Sequence, residues 1–170
     1  TGGPWTLTVA TGNITSSGAA GETNVITPQV IFGADAMITV NGDTAHKLQF
    51  GSEENLGSNS LTKAGIGNLT MADLTAGTIN INAGSMNAGA VTANILNVNS
   101  GPVEIVSLLG SGADKKANVA DGTTLKVTGV AGMSSLTEVN AEGAIDATGM
   151  PVTATTVNIG TLGGTGSLTA

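Results

Sequence analysis

The chain alternates apolar and polar residues over short stretches, most of which end at glycine. The pattern is clear in "WTLTVA", "MITVNG", "TININAG", "TLKVTG" and "TVNIG". A period of two is typical of β-strands with one face on a core, and glycine after such a run is typical of a turn. Gly, Thr, Asn, Val and Ile dominate, and most of these are poor helix formers. The pattern therefore predicts an all-β fold of short strands.

One stretch of this pattern is repeated in the chain. "LTAGTININAG" at 74–84 aligns without a gap to "VTANILNVNSG" at 91–101, an offset of 17, and "VTATTVNI" at 152–159 aligns to the second copy at an offset of 61. A repeated strand unit that cannot cover its own apolar face needs a neighbour stacked on it. We therefore predict a parallel β-solenoid (β-helix) with rungs of roughly 17–20 residues. A β-sandwich of short strands is the alternative, which explains the alternation but not the matched register.

The matched register makes specific predictions about side chains. Four apolar positions are expected to point into a shared core: Ile79, Ile81, Leu96 and Val98. Asn80 is matched with Asn97, and Asn82 with Asn99. Stacked asparagines can form amide ladders between neighbouring rungs.

A second register is indicated upstream. "QVIFGAD" at 29–35 aligns to "KLQFGSE" at 47–53 at an offset of 18. The alignment places three pairs over one another: Phe32 over Phe50, Asp35 over Glu53, and Ile38 over Leu56. Since 61 is not a multiple of 17 or 18, some turns must carry insertions. We expect one domain spanning 1–170, with "GSGADKKAN" at 110–118 as an outward loop.

The closing stretch "NIGTLGGTGSLT" at 158–169 resembles the Gly-Thr rungs in passenger domains of bacterial autotransporters and adhesin-like surface antigens. The quoted motif covers a dozen residues, whereas the Gly/Thr/Asn-rich style covers most of the chain. The resemblance implies a secreted, right-handed parallel β-helix exposed on a bacterial surface.

Composition narrows the classes of function. Twelve acidic residues against five lysines give the chain a net charge of −7. Nucleic-acid binding needs a basic surface, so this charge argues against a nucleic-acid-binding protein. No apolar run approaches the ~18 residues of a membrane-spanning helix. Cysteine is absent, so disulfides and thiolate metal sites are excluded. The chain begins at Thr1 without Met, and we expect it to be excised from something longer.

Candidate chemistry is sparse. His46 is the only histidine, Asp43 is near it in sequence, and no GxSxG nucleophile motif is present. We expect His46 in a turn or on the surface, no catalytic residue, no enzymatic activity and no cofactor. Asp35 and Glu53, if stacked on consecutive rungs, are candidate calcium ligands, because hard cations prefer carboxylate oxygens. The alternative is that these acids bind no ion and only keep an exposed face of the protein hydrated.

The function expected from these features is that of a non-enzymatic, extracellular structural or adhesin-like surface protein. Its partner would be a host or cell-surface ligand, or a second copy of itself. The alternative is a self-assembling subunit of an extracellular fibre or surface layer, and a carbohydrate-active solenoid is a third possibility. A solenoid ends in two strand edges, expected at Trp5–Ala10 and Thr156–Ala170, which invite pairing unless covered. The loop at 110–118 could instead cap one end.

Overall fold

The chain folds as an all-β parallel solenoid of about eight turns. The computed structural model describes residues 6–160 and 164–170, and within those ranges it contains strands but no helix. The strands are β1 (Thr6–Val9), β2 (Asn13–Ser16), β3 (Thr23–Ile26), β4 (Gln29–Phe32), β5 (Ala36–Val40), β6 (Lys47–Phe50), β7 (Glu54–Asn55), β8 (Ser60–Ala64), β9 (Asn68–Met71), β10 (Leu74–Ile81), β11 (Ser85–Val98), β12 (Val103–Gly110), β13 (Lys116–Val119), β14 (Thr124–Val127), β15 (Met133–Ala141), β16 (Ala144–Asp146), β17 (Val152–Ile159) and β18 (Ser167–Thr169).

Successive turns stack their strands in parallel, and the stacking forms three columns. The first column begins with β1 and β4, continues through β7 and β10, and ends in the first half of β17. The second begins with β2, β5 and β8 and ends in the second half of β17. The third runs from β3 through β6 and β9 to β18.

The inward side chains of the three columns form one apolar core along the solenoid axis. Its members are mostly Leu, Ile, Val, Met and Ala, and Phe32 and Phe50 are its only aromatic rings among the described residues. Ile79, Ile81, Leu96 and Val98 are all buried in it, which confirms their inward assignment. Each such aliphatic side chain stabilises the fold by about 1.5–3 kcal/mol when it is buried.

The repeat found in the sequence is the stacking register of the solenoid. Leu74–Ile81 lies on Val91–Val98 residue for residue at the offset of 17, with only the Gly77–Asn94 position left out of the ladder. The third copy lies in the same columns, three turns further along, because Leu96 is followed by Ala117, Val139 and Val157. Unequal turns at these steps explain why 61 is not a multiple of 17.

The offset of 18 upstream is not a stacking register, and that prediction is wrong. Phe32 pairs with Val9, and Phe50 pairs with Ile26. Ile38 pairs with Ile14 and Lys63 rather than with Leu56. The two similar segments belong to different columns, since β4 lies in the first and β6 in the third. Every face of the solenoid has the same apolar alternation, so similar strands need not be stacked on one another.

The expected outward loop at 110–118 is shorter than predicted. Gly110 ends β12, and Lys116–Val119 forms β13, so only residues 111–115 form a turn. The backbone N–H of Asp114 donates to Asn94 Oδ1 at 2.7 Å. This contact fixes the turn beside the middle of the stack, so it does not cap an end.

Glycine closes the turn after the first copy of the repeat. Gly84 has φ of +68°, and a Cβ there would lie 2.4 Å from the carbonyl oxygen of Gly67 on the neighbouring turn. Any other residue would combine a left-handed conformation with a backbone clash. The turn predicted after "TININA" therefore requires the glycine that follows it.

The predicted strand edges at Trp5–Ala10 and Thr156–Ala170 are only part of the edges in the structure. Within residues 6–160 and 164–170, β2 and β3 are also paired on one side only, and β17 begins at Val152. Among the described residues, β1 pairs with β4 alone, β17 with β15 alone and β18 with β16 alone. Trp5 and residues 161–163, which belong to the predicted edges, lie outside the described residues.

Candidate functional site

The most regular polar feature of the solenoid is a ladder of five asparagines on the second column, which we call the amide ladder. Its members are Asn80, Asn97, Asn118, Asn140 and Asn158. Each Nδ2 donates to the Oδ1 of the preceding member at 2.8 Å. Asn99 likewise donates to Asn82 at 3.0 Å. The predicted ladders are therefore confirmed, and the first extends over five turns.

The amide ladder has a direction and retains unused capacity. All its bonds run from a later turn to an earlier one, so the N–H and C=O dipoles of the five amides are aligned. Each amide has two N–H donors and two acceptor lone pairs, and each ladder bond uses one donor and one lone pair. The ladder side chains are half-exposed. This column therefore offers further donors and acceptors to a polar ligand or to another rung.

Next to the ladder lies a surface groove of about 720 Å³, lined by three of the ladder asparagines and by Asp121, Glu138 and Glu142. Its carboxylates are engaged in structural contacts. Asp121 and Glu142 accept from the backbone N–H groups of Thr165 and Gly164 at 3.3 and 3.1 Å. They thereby hold residues 164–165 against the stack.

Glu138 is held by a cross-strand ion pair. Its carboxylate lies 2.8 Å from Lys116 Nζ on the paired strand. The hydrogen bond from Lys116 lowers the pKa of Glu138, and the same contact raises the pKa of Lys116. Among the described residues, no group of three His, Cys, Asp or Glu side chains is arranged to hold a metal ion. In the part of the chain that the structure describes, the groove therefore combines amides with carboxylates that make structural contacts.

His46 closes a turn, because its backbone N–H donates to the carbonyl of Asp43 at 3.2 Å, which agrees with the expected turn position. Its side chain is fully buried, so a surface position is ruled out. Its Nε2 lies 3.0 Å from Ser16 Oγ, and Ser16 Oγ in turn accepts from Asn24 Nδ2 at 2.9 Å. Both Ser16 and Asn24 stand at inward positions, paired with Val40 and Leu48. The contact between Ser16 and His46 was not predicted from the sequence, because the two residues are 30 positions apart.

Within the described residues, no carboxylate is hydrogen-bonded to the His46 imidazole as the third member of a hydrolytic triad would be. His46 Nδ1 has no hydrogen-bond partner among the described residues. Asp43, the nearest acid in sequence, uses Oδ1 to accept from the backbone N–H groups of Ala45 and His46. A triad needs a carboxylate on Nδ1 to orient the imidazole, together with an accessible nucleophile. Ser16 is itself buried. The pair is therefore best explained as a structural hydrogen bond inside the first turns of the solenoid.

Glu54 is a fully buried acid in the first column, where it pairs with Leu74. Its Oε2 accepts from the backbone N–H of Val30 at 2.9 Å, and its Oε1 has no partner among the described residues. Burial raises the pKa of Glu54 to about 7, and the Val30 hydrogen bond opposes this shift. β4 and β7 are in contact but are not joined by backbone hydrogen bonds of a β-ladder. The Glu54 side chain supplies the acceptor that a backbone carbonyl would otherwise provide there.

Lys63 is a fully buried base in the second column, between Ile38 and Ile81. Its Nζ donates to three backbone carbonyls at 2.6–3.0 Å, those of Ala64, Gly65 and Ala83. Burial lowers the pKa of Lys63 to about 8. The ammonium therefore keeps its proton at neutral pH, and its three donors match three acceptors at a corner of the stack.

The two calcium candidates are not stacked. The register that would place Asp35 over Glu53 is absent, and Asp35 Oδ1 accepts from the backbone N–H of Ser60 at 2.8 Å. Glu53 is exposed, and its backbone carbonyl accepts from Gln29. Calcium binding at these residues stays a prediction that has lost its geometric support.

Comparison with protein-family models, with curated proteins and with solved structures finds no match for this chain. Within residues 6–160 and 164–170, no helix has the length and apolar character needed to cross a membrane. The functional argument therefore rests on the solenoid and its side chains.

Proposed function

We propose that this chain is a non-enzymatic structural element of a bacterial cell surface, an extracellular solenoid that gives reach or presents adhesive side faces. The observation that carries the proposal is that the polar side chains of the solenoid form hydrogen bonds and ion pairs within it. The amide ladder, the two buried charged side chains and the groove carboxylates all bond to neighbouring turns. An enzyme would instead present titratable groups to a substrate.

The resemblance of the Gly/Thr/Asn-rich rungs to autotransporter passengers supports an extracellular setting. Eight turns at the ordinary strand spacing of about 4.8 Å extend about 34 Å along the axis. A short, stiff unit of this kind suits a surface array or a segment of a longer stalk. In the adhesin-like form of the proposal, a host or cell-surface ligand binds the exposed faces.

The location can be tested with antibodies to the folded chain on intact and on permeabilised cells of the source bacterium. Equal labelling of both samples is the expected result, with a cytosolic protein as the control that is labelled only after permeabilisation. Labelling that requires permeabilisation would refute the surface assignment.

The absence of enzymatic activity needs a separate experiment. The chain is expected to release no reducing ends and no unsaturated sugars from a panel of polysaccharides. If turnover is found, His46→Ala and Asp121→Asn distinguish the two polar regions. A rate that either substitution abolishes would overturn the non-enzymatic proposal.

A second candidate function is that of a self-assembling subunit of a fibre or surface layer. The specific observation in its favour is that both ends of the solenoid carry exposed apolar side chains, namely Leu7 at one end and Val157 and Ile159 at the other.

A further inference from the structure

The first and last turns that the structure describes each have one unpaired edge, and the two edges have the same layout. We define the N-terminal end as β1, β2 and β3, and the C-terminal end as β17 and β18. Among the described residues, each of these strands is paired on one side only. The two halves of β17 occupy the first and second columns and β18 occupies the third, which are the columns that β1, β2 and β3 begin. Within residues 6–160 and 164–170, one complete turn at each end therefore has an edge without a partner strand.

The apolar columns continue to both edges. Val157 and Ile159 follow the buried Val139 and Ala141, yet they are 43% and 46% exposed because no described turn lies beyond them. Leu7, which pairs with the buried Val30, is 42% exposed at the opposite end. These side chains lie in the inward columns and lack only the next rung.

The second column indicates how two copies of the chain would be aligned if the C-terminal end of one met the N-terminal end of the other. The column that contains the amide ladder begins at Asn13, followed by Met37 and Thr62. It ends at Asn158. A second copy placed in the same column would set its Asn13 on Asn158, and its Ile14 on Ile159.

The polarity of the amide ladder fits that placement. Asn158 donates its Nδ2 to Asn140, so its Oδ1 is the acceptor that a following rung would use. Asn13 is exposed on the first rung of the column and has an Nδ2 donor. Copies joined head to tail would therefore continue the ladder in the direction that it already has.

Charge does not oppose the join. Residues 6–21 and residues 151–170 contain no charged side chain. Although the chain has a net charge of −7, the N-terminal end contains one charged residue, Glu22, between β2 and β3, and the C-terminal end contains none. Natural strand edges are often protected by lysine or other charges. Apart from Glu22, neither end has a charged side chain of this kind.

We propose that the C-terminal end binds the N-terminal end of a second copy of this chain, with Asn13 stacked on Asn158. This inference deepens the proposed structural role by naming the partner. The first turn already pairs with the second through four residues from each of three strands, and the join would repeat that pairing. Because the two surfaces differ, the association is heterologous and leads to an open filament rather than to a closed dimer.

Three lysine substitutions at similarly exposed apolar residues test the join. Ile159→Lys charges the C-terminal end and Leu7→Lys charges the N-terminal end. Leu109→Lys is the matched control, because Leu109 is also 46% exposed but pairs with Thr92 and Ser134 on the turns to either side. Circular dichroism establishes that each variant keeps the β-rich fold.

Sedimentation and electron microscopy then measure assembly in dilute and concentrated solution. The unmodified chain and Leu109→Lys are expected to form filaments, whereas each end variant alone stays monomeric. An equimolar mixture of the two end variants retains one compatible pair of ends, so it should form dimers and nothing larger.

A folded, monomeric unmodified chain at high concentration would overturn the inference and leave the structural role intact. So would a mixture of the two end variants that stays monomeric, or a Leu109→Lys variant that disrupts assembly as strongly as the end variants. Turnover of a substrate, or labelling only inside cells, would instead refute the proposed function whether or not filaments form.

Discussion

The buried carboxyl group of Glu54 should make the stability of the solenoid depend on pH in a way that one substitution removes. Burial raises the pKa of Glu54 from 4.5 to about 7. The folded chain therefore binds this proton more tightly than the unfolded chain does. The stabilisation from Glu54 is fully present below pH 4.5 and is lost as the pH rises through 7.

The size of the effect follows from linkage between protonation and folding. With these two pKa values, ionisation of Glu54 lowers the free energy of unfolding by about 2.5 kcal/mol between about pH 5 and pH 8. Glu54→Gln keeps an oxygen that can accept from Val30, but it cannot ionise. The variant should lose the Glu54 contribution to the pH dependence and keep the contributions of the other groups.

Urea unfolding followed by circular dichroism at the two pH values measures this difference. Glu53→Gln, on the exposed neighbouring residue, is the matched control and should behave as the unmodified chain does. Hydrogen exchange of the Val30 amide is a local readout, because that N–H donates to Glu54 Oε2. Equal pH dependence in the unmodified chain and in Glu54→Gln would show that the buried carboxyl does not control stability in this range.

Three further substitutions test the core, the amide ladder and the buried base, each by urea unfolding. Ile81→Asp places a charge at a fully buried position and should abolish folding, whereas Val130→Asp, at a residue that is 88% exposed, should be tolerated; a folded Ile81→Asp chain would contradict the inward assignment. Asn118→Ala removes two ladder hydrogen bonds and should lower the free energy of unfolding by about 1–2 kcal/mol. An equal loss in Asn87→Ala, on an exposed side chain outside the ladder, would refute the ladder's contribution. Lys63→Met leaves three carbonyls without their donor and should cost about 2 kcal/mol or more, and a variant at least as stable as the unmodified chain would contradict this account.

The sequence alone determined the class of fold and the central part of its register. The alternation at 74–84 and 91–101 specifies strands, and a gapless offset between two such strands specifies stacking. Because each residue lies on its equivalent in the next turn, Asn80 had to meet Asn97 and Ile79 had to meet Leu96. The sequence also predicted strand edges at Trp5–Ala10 and Thr156–Ala170, and the structure added β2, β3 and the start of β17 at Val152 to them.

Only the tertiary structure showed which similar segments are stacked. The segments at 29–35 and 47–53 look alike because every face of the solenoid has the same alternation, yet they lie in different columns. Asn118 and Asn140 joined the amide ladder across turns of unequal length, and an alignment with a fixed offset does not reveal such turns. The sequence therefore identified the first pair of the five-turn ladder, Asn80 and Asn97, but not the three members that follow.

The buried polar residues were decided by tertiary structure as well. Lys63 and Glu54 occupy inward positions that a pattern of apolar residues assigns to aliphatic side chains. Glu54 accepts from Val30 on another turn, and Lys63 donates to Ala83 on another turn as well as to its own neighbours Ala64 and Gly65. No local pattern of apolar residues records the partners on other turns. His46 reached the interior in the same way, through Ser16, which lies 30 residues earlier in the chain. Local alternation determines strands, but the cost of burying a polar group depends on contacts that form only when the turns stack.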